Sequence, residues 1–195
     1  MDDLSKRILG ELSGGGLAQL SDQLGVDEGR VDSTLSTAMP LLVSALANNA
    51  SKPGQAQAIM QALEKDHDGS ILSDVGSYLS DTQSANGAGI LGHVLGDQQS
   101  MVAQNLAKAT GMNQGEVDNL LKVAAPLVMG ALGEEKQKKG LDTDSLADFL
   151  GGQQQAINEA NPTVANLLNT FLDKDKDGSF LDDLLDMILG FFRKK

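Results

Sequence analysis

One stretch occurs twice in this chain and decides how the chain is organised. It is Gly25-Val26-Asp27-Glu28-Gly29-Arg30-Val31-Asp32, and it returns 86 residues later as Gly111-Met112-Asn113-Gln114-Gly115-Glu116-Val117-Asp118. Each copy has a glycine that ends one helix, a polar residue that can cap the next helix, and a valine that begins its apolar face. The sequence therefore predicts two pairs of helices that are built alike.

The same offset extends outward from this stretch. Pro40-Leu41 falls on Pro126-Leu127, and Ala45-Leu46 falls on Ala131-Leu132, each again 86 residues apart and without a gap. Pro40 either starts a new helix or kinks the one before it, and the apolar residues after it are typical of a helix that is buried on most of its surface. So many ungapped matches indicate a tandem duplication.

The duplication predicts two helical units and a linker. Residues 1–82 form the first unit, residues 83–89 a flexible linker of small and polar residues, and residues 90–195 the second unit. The second unit has an insertion around residues 134–161, in which residues 144–152 predict an added short helix. No segment alternates apolar and polar residues long enough to predict a strand. The predicted fold class is all-α, a tandem duplication of a short-helix bundle with about ten helices.

A second repeated stretch contains the candidate metal ligands. Residues 64–75, the first acidic loop, read Glu-Lys-Asp-His-Asp-Gly-Ser-Ile-Leu-Ser-Asp-Val, and residues 173–184, the second acidic loop, read Asp-Lys-Asp-Lys-Asp-Gly-Ser-Phe-Leu-Asp-Asp-Leu. Both are similar to the first half of an EF-hand loop, in which alternate carboxylates converge on Ca²⁺ and a glycine permits the tight turn. The predicted ligands are Asp173, Asp175, Asp177, Ser179 and Asp183 in the second loop, and Glu64, Asp66, Asp68, Ser70 and Asp74 in the first.

The twelfth position of each loop weakens the metal interpretation. An EF-hand has a bidentate glutamate there, whereas these loops have Val75 and Leu184. We therefore expect weak Ca²⁺ binding, with a Kd of roughly 10⁻⁴–10⁻³ M, and tighter binding in the second loop, because Asp182 gives that loop one more carboxylate than the first. The alternative interpretation needs no ion. Asp-Gly-Ser before an apolar-periodic segment is typical of a capped helix start, with Ser70 or Ser179 as the N-cap.

Composition and charge exclude several classes of function. A net charge of -12 opposes sequence-independent binding to nucleic acid or anionic lipid and favours cationic partners, including metal ions. The chain has no cysteine, so a disulfide, a thiolate zinc site and a cysteine nucleophile are all excluded. Residues 17–31 resemble a DNA-binding helix-turn-helix, but the acidic residues Asp27, Glu28 and Asp32 would be repelled by phosphates. A plain packing motif is the favoured interpretation.

No catalytic group, membrane span or export signal is predicted. The two histidines, His67 in a solvated loop and His93 partly buried in a helix, have no serine on a strained elbow to activate, so we expect no enzyme activity. No apolar run reaches the roughly 18 residues of a membrane span, and the acidic N-terminus lacks a signal-peptide core, so we expect a cytoplasmic protein. Residues 187–192, followed by three basic residues, predict a C-terminal helix. It packs on the core, which is the favoured interpretation, docks on a partner or forms a weak membrane-surface anchor.

The chain resembles the bacterial family catalogued as domain of unknown function 937, whose members include YidB-like proteins. The resemblance covers almost the whole chain as two tandem copies, and it rests on the Leu-Gly-Val turn, the Pro-Leu-Leu and Pro-Leu-Val helices, residues 90–96 and the two acidic loops. It implies a helical bacterial cytosolic protein and brings no established activity. We therefore expect a non-enzymatic binding or scaffolding protein with an unknown protein partner and weakly bound Ca²⁺. The alternatives are an interaction module without metal and, remotely, a nucleic-acid binder.

Overall fold

The computed structural model describes residues 4–160, in which all the regular secondary structure is helical. The α-helices are α1 Leu4–Leu12, α2 Gly16–Leu24, α3 Glu28–Ala50, α4 Gln55–Lys65, α5 Val75–Ser80, α6 Gly87–Leu95, α7 Gln99–Thr110, α8 Gln114–Lys139 and α9 Thr143–Ala160. Short 3₁₀ turns lie at Ser70–Leu72, Thr82–Ala85 and Gly96–Gln98. The all-α prediction is confirmed. The total of about ten helices stays a prediction, because residues 161–195 lie outside the described part.

Two long helices, α3 and α8, form the centre of the fold. At the start of α3 the Asp27 carboxylate accepts a hydrogen bond from the Arg30 backbone N–H at 3.3 Å, and at the start of α8 the Glu116 carboxylate accepts one from the Asn113 backbone N–H at 2.8 Å. These bonds satisfy N–H groups that have no partner within the helix. Residues 38–47 of α3 and residues 124–133 of α8 are buried all round, as the apolar runs predict.

Both long helices continue through a proline. α3 runs past Pro40 and α8 past Pro126, so of the two sequence alternatives for Pro40 a new helix is wrong. A proline inside a helix removes one hydrogen bond to the carbonyl four residues before it. Burial of the apolar residues on both sides of the proline offsets this loss, because a break there would expose them.

The carbonyl that loses its partner in α8 is packed by other elements. It belongs to Lys122, and α6 approaches it so closely that a Cβ atom on Gly87 would lie 1.9 Å from its oxygen. The next carbonyl, that of Val123, accepts a hydrogen bond of 2.7 Å from the buried hydroxyl of Tyr78. The proline gap in α8 is therefore a contact point for α5 and α6.

The remaining helices surround this central pair and share one core with it. α1 and α6 each contact both α3 and α8, α2 packs on α3, and α7 packs mainly on α8. α4 contacts α3, α8 and α9, while α9 lies along α3. Leucines from all parts of the described chain lie in one continuous cluster, including the almost fully buried Leu12, Leu35, Leu120 and Leu150. The small aliphatic side chains allow the close helix contacts.

Corresponding helices begin and end at residues related by the sequence offset. α2 ends at Gly25 and α7 at Gly111, and both glycines have a left-handed backbone, with φ of 64° and 71°. α3 begins at Glu28 and α8 at Gln114, 86 residues apart. These helix ends were predicted from glycine and cap signals alone. The tandem duplication itself stays a prediction.

Two segments differ from the sequence-based expectation. Residues 83–89, predicted as a flexible linker, contain the end of a 3₁₀ turn and the start of α6, because Gly87 packs against α8. The insertion around residues 134–161 contains the end of α8 and all 18 residues of α9, where a short helix was predicted. α9 is longer because Leu146, Leu150 and Ile157, at most 3 % exposed, form one apolar face along its whole length.

The C-terminal end of α8 contacts the neighbouring helices through charged side chains. The Arg7 guanidinium of α1 donates to the Glu134 carboxylate at 2.5 Å and also to that of Glu135. The Lys139 ammonium lies 4.4 Å from the centre of the Phe149 ring in α9, a cation–π distance. α1 and α9 are thus both attached to the same end of α8.

Candidate functional site

The first acidic loop packs against α8 with backbone touching backbone. A Cβ atom on Gly133 would lie 1.8 Å from the carbonyl oxygen of His67, and one on Gly130 would lie 2.2 Å from Cγ2 of Ile71. Only glycine permits such an approach in the middle of a helix. We call Gly130, Gly133 and the adjoining Glu134 the α8 seat.

The turn of this loop is fixed by the same surface. Gly69 has a φ of +97°, a conformation that favours glycine, and a Cβ atom there would lie 2.8 Å from Cβ of Glu134. The Gln137 side-chain amide donates a hydrogen bond to the Asp68 carbonyl at 2.8 Å. The glycine that resembles position six of an EF-hand therefore serves helix packing in this loop.

Two predicted metal ligands of the first loop are helix and turn caps. The Asp68 carboxylate accepts a hydrogen bond of 3.0 Å from the Ser70 backbone N–H, and the Asp74 carboxylate caps α5 by accepting the backbone N–H of Ser77 at 3.0 Å and its hydroxyl at 2.7 Å. The Ser70 carbonyl accepts the Ser73 hydroxyl at 2.6 Å. The prediction that Ser70 is the N-cap is wrong, because the aspartates before and after it perform that role.

The other predicted ligands of this loop do not form a cage. Glu64 pairs with Lys136 of α8 at 3.1 Å, and Asp66 is exposed at the end of α4. Among the residues that the structure describes, no group of three or more His, Asp or Glu side chains is placed to hold a metal ion. The first loop thus has the EF-hand spacing, but its carboxylates do not converge on one point. Asp68 and Asp74 accept hydrogen bonds from two different backbone N–H groups, those of Ser70 and Ser77.

Hydrogen bonds and burial shift the pKa values of the loop in consistent directions. The Ser70 backbone N–H lowers the pKa of Asp68, and the Ser77 hydroxyl and backbone N–H lower the pKa of Asp74. Partial burial lowers the pKa of His67, although the nearby Asp66 charge opposes this shift. Hydrogen bonds within the loop therefore favour ionised Asp68 and Asp74, and burial favours a neutral His67.

The second acidic loop and the C-terminal apolar helix lie outside the described residues. The predicted ligands concerned are Asp173, Asp175, Asp177, Ser179 and Asp183. Their arrangement stays a prediction from the sequence.

A cleft lies where the two copies of the repeated stretch meet. Its volume is about 510 Å³, and it opens between the end of α2, the end of α7 and the first turns of α3 and α8. The residues that line it are Gly25, Val26, Asp27, Arg30, Gly111, Asn113 and Glu116. This volume is within the range of ligand-binding clefts, about 300–1,000 Å³.

The polar groups of the cleft are held by one another. The Arg30 guanidinium donates to the Gly111 carbonyl at 3.1 Å and so connects the two copies. Hydrogen bonds from the Asn113 backbone and side chain lower the pKa of Glu116, and the Arg30 charge acts in the same direction. The cleft therefore has an ionised Glu116 carboxylate on its rim and an arginine that is hydrogen-bonded across it.

The two histidines are not where the sequence predicts them. His67 is half-buried against α8, whereas a solvated side chain was predicted, and His93 is exposed on α6, whereas partial burial was predicted. Seating of the loop on α8 accounts for the first difference, and the outward-facing position of His93 on α6 accounts for the second. Neither histidine lines the cleft.

The sequence did not identify the cleft as a site, nor the α8 seat. For the cleft a signal was present, since Asp27, Arg30, Asn113 and Glu116 lie at matching positions of the repeated stretch. For the seat, Gly130 and Gly133 are three residues apart in an apolar helix. This spacing indicates that another element packs closely there, but it does not identify that element.

Of three comparisons with known proteins, one gave a match. A family model described as "Bacterial protein of unknown function (DUF937)" matches residues 6–135. Comparison with curated proteins and with solved structures gave no match. In the structure itself, none of the helices within residues 4–160 is long and apolar enough to cross a membrane.

Proposed function

Because this chain belongs to the bacterial family of unknown function DUF937, which brings no activity to transfer, we propose its function from its own surface. We propose that it is a non-enzymatic binding or scaffolding protein built by tandem duplication, and that its cleft binds a cationic segment of a partner protein. The described first acidic loop serves the fold in this proposal.

The observation that carries the proposal is the position of the cleft at the junction of the two repeats. Its lining pairs residues of the first stretch with their counterparts 86 positions later: Gly25 with Gly111, Asp27 with Asn113, and Arg30 with Glu116. A duplicated chain forms such a junction only when both copies are present. A surface that requires both copies is a plausible reason for retaining the duplication.

Charge supports a cationic partner. Asp27, Glu28 and Asp32 follow one another around the exposed first turns of α3 beside the cleft. Arg30 is the only cationic residue in the lining of the cleft, against the two carboxylates of Asp27 and Glu116. A lysine- or arginine-rich segment would find complementary charge on this rim, and such complementarity favours both rate and specificity of association.

The test is a titration of isotope-labelled protein with a decapeptide rich in lysine and arginine. We expect the amide signals of Gly25, Gly111 and Asn113 to shift together, and the affinity to fall as salt is raised from about 50 to about 200 mM, because the Debye length shortens. Unchanged signals at these three residues would refute the proposal.

Charge reversal provides the matched comparison. Glu28→Lys with Asp32→Lys should weaken the peptide roughly tenfold, which corresponds to about 1.4 kcal/mol. Asp144→Lys with Asp148→Lys, at two exposed positions of α9, makes the same change in net charge away from the cleft and should weaken peptide binding much less. Equal losses of affinity for the two variants would mean that the peptide responds to the net charge of the protein and does not bind in the cleft.

Ca²⁺ binding at the second acidic loop is the second candidate function. It is favoured by the alternating carboxylates Asp173, Asp175 and Asp177, which precede Gly178. An ion that binds only the folded protein raises its apparent stability. A melting temperature that rises in millimolar Ca²⁺, not in Mg²⁺ or EDTA, and that loses this rise in the Asp175→Asn, Asp177→Asn variant would support the site. Identical melting temperatures in Ca²⁺, Mg²⁺ and EDTA would refute a Ca²⁺ site in the second loop.

A further inference from the structure

The two ends of the cleft differ in charge. Asp22, in the last turn of α2, lies 86 positions before Lys108, in the last turn of α7. Arg30, at the start of α3, lies 86 positions before Glu116, at the start of α8. Lys108 and Arg30 both lie at the end of α7, and at both positions the other copy of the sequence has a carboxylate.

Side chains of this chain neutralise the negative end of α7. A helix leaves carbonyls unpaired at its C-terminal end, and its aligned peptide dipoles make this end negative. Lys108 adds a positive charge in the last turn of α7, and the Arg30 guanidinium donates to the Gly111 carbonyl at 3.1 Å. These two contacts are typical of cations that stabilise a helix C-terminus.

The negative end of α2 has no such cation. No basic residue lies in the last turn of α2, and within residues 4–160 no donor is hydrogen-bonded to the Gly25 carbonyl. Gly25 is exposed and lines the cleft together with Glu116. This end of the cleft therefore offers a carbonyl and a carboxylate to a cation from outside.

We infer that the α2 end of the cleft binds an arginine side chain of the partner protein, and that its guanidinium donates to the Gly25 carbonyl and to the Glu116 carboxylate. The inference rests on the proposed function and narrows its cationic segment to one that contains arginine. The bound arginine has the role at the end of α2 that Arg30 has at the end of α7.

Arginine suits this position better than lysine. The planar guanidinium has five N–H donors in fixed directions, so it can bond a carbonyl and a carboxylate at the same time. The ammonium of lysine is a compact, strongly hydrated charge on a flexible stem. The geometry therefore predicts a preference for arginine, which net charge alone does not.

Two decapeptides of equal charge, one with arginine and one with lysine at every basic position, test this preference on the full chain. We expect the arginine peptide to bind roughly tenfold more tightly, since charge-assisted hydrogen bonds to a fork of donors are the strong ones. Equal affinities would overturn the inference and leave the proposed function intact. If neither peptide bound, both would be refuted.

Glu116→Gln tests the carboxylate. It removes the charge but keeps a side chain that can accept the Asn113 backbone N–H, as glutamine does in a capping box. The preference for the arginine peptide should be largely lost. Glu11→Gln removes the same charge from an exposed position of α1 and should keep the preference. An undiminished preference in Glu116→Gln would overturn the inference.

Amide signals locate the bound guanidinium. The Val26 N–H belongs to the same peptide group as the Gly25 carbonyl, and the Met112 N–H to that of the Gly111 carbonyl, which Arg30 occupies. The arginine peptide should shift the Val26 signal more than the Met112 signal. A larger shift at Met112 would mean that the peptide displaces Arg30, against the inference.

Asp22→Lys provides a measurement without peptide. It gives the last turn of α2 the cation that Lys108 gives to α7, so it should raise the melting temperature by about 1–3 °C. It should also weaken binding of the arginine peptide. An unchanged or lower melting temperature would mean that the end of α2 is already neutralised, and it would contradict the inference.

Discussion

The carbonyl oxygen of His67 and the α-carbon of Gly133 are packed so closely that a methyl group on Gly133 would lie 1.8 Å from that oxygen. A glycine inside a helix lowers stability by about 1 kcal/mol relative to alanine. The first acidic loop offsets this loss by burying Ile71 and Leu72 against α8. The loop is therefore a packing element, and its carboxylates are secondary to that role.

Gly133→Ala should destabilise the protein by about 1–3 kcal/mol, since the new methyl group forces the loop away from α8. Urea denaturation followed by circular dichroism measures this change. Gly151→Ala on α9 is the matched control, because nothing lies within 4 Å of its Cβ position. The control should gain roughly 0.5–1 kcal/mol from helix propensity. A neutral Gly133→Ala variant would contradict the described packing of the loop.

Asp74→Ala should lower the melting temperature, because it leaves the first N–H groups of α5 without their carboxylate acceptor. Asp66→Ala removes a carboxylate of the same loop that does not cap a helix, and it should lower the melting temperature less. A thermal melt of each variant at pH 7 distinguishes them. If Asp66→Ala proved the more damaging change, the assignment of the caps would have to be reversed.

The pKa of His67 is lowered in the folded protein by burial, so the folded state binds fewer protons than the unfolded state between that pKa and about 6.5. Stability contributed by neutral His67 is therefore present above pH 6.5 and decreases as the pH falls through this window. His67→Gln should flatten the dependence of the urea midpoint on pH there. His93→Gln controls for the loss of an exposed histidine. Parallel profiles for His67→Gln and the parent would rule out this linkage.

Arg7→Ala should cost about 1 kcal/mol, because Glu134 and Glu135 lose the cation that they share and keep only Lys138 and Lys139 as partners in these partly exposed ion pairs. Lys6→Ala removes the neighbouring charge from an exposed position and should stay within about 0.5 kcal/mol of the parent. Denaturant midpoints of both variants at moderate salt test this difference. Equal midpoints would show that the Arg7 contacts contribute nothing beyond net charge.

Local signals predicted the helix ends well. Gly25, Asp27 and Gly111 terminate or cap helices as expected, because these roles depend on backbone conformation and on hydrogen bonds a few residues away. Continuation through Pro40 was not predictable in the same way. Whether one lost hydrogen bond ends a helix depends on what the flanking residues bury, and that is a tertiary property.

The candidate site was predicted less well, for a related reason. The spacing of Asp66, Asp68 and Gly69 is shared by a calcium loop and by a loop that turns tightly on a helix. The contact with the α8 seat explains the tight turn at Gly69, and this seat lies more than fifty residues away in sequence. The cleft required knowledge that the two copies of the repeated stretch meet, and no local pattern contains that information.

The contact between Gly87 and the Lys122 carbonyl has a consequence for the order in which the protein opens. With 1.9 Å between the oxygen and the position of an added Cβ, α6 fits against α8 at one axial position and cannot slide along it. When the structure opens locally, α6 therefore separates from α8 as a whole helix. Backbone amides in the two helices should consequently exchange with deuterium as one cooperative unit, although α7 separates them along the chain.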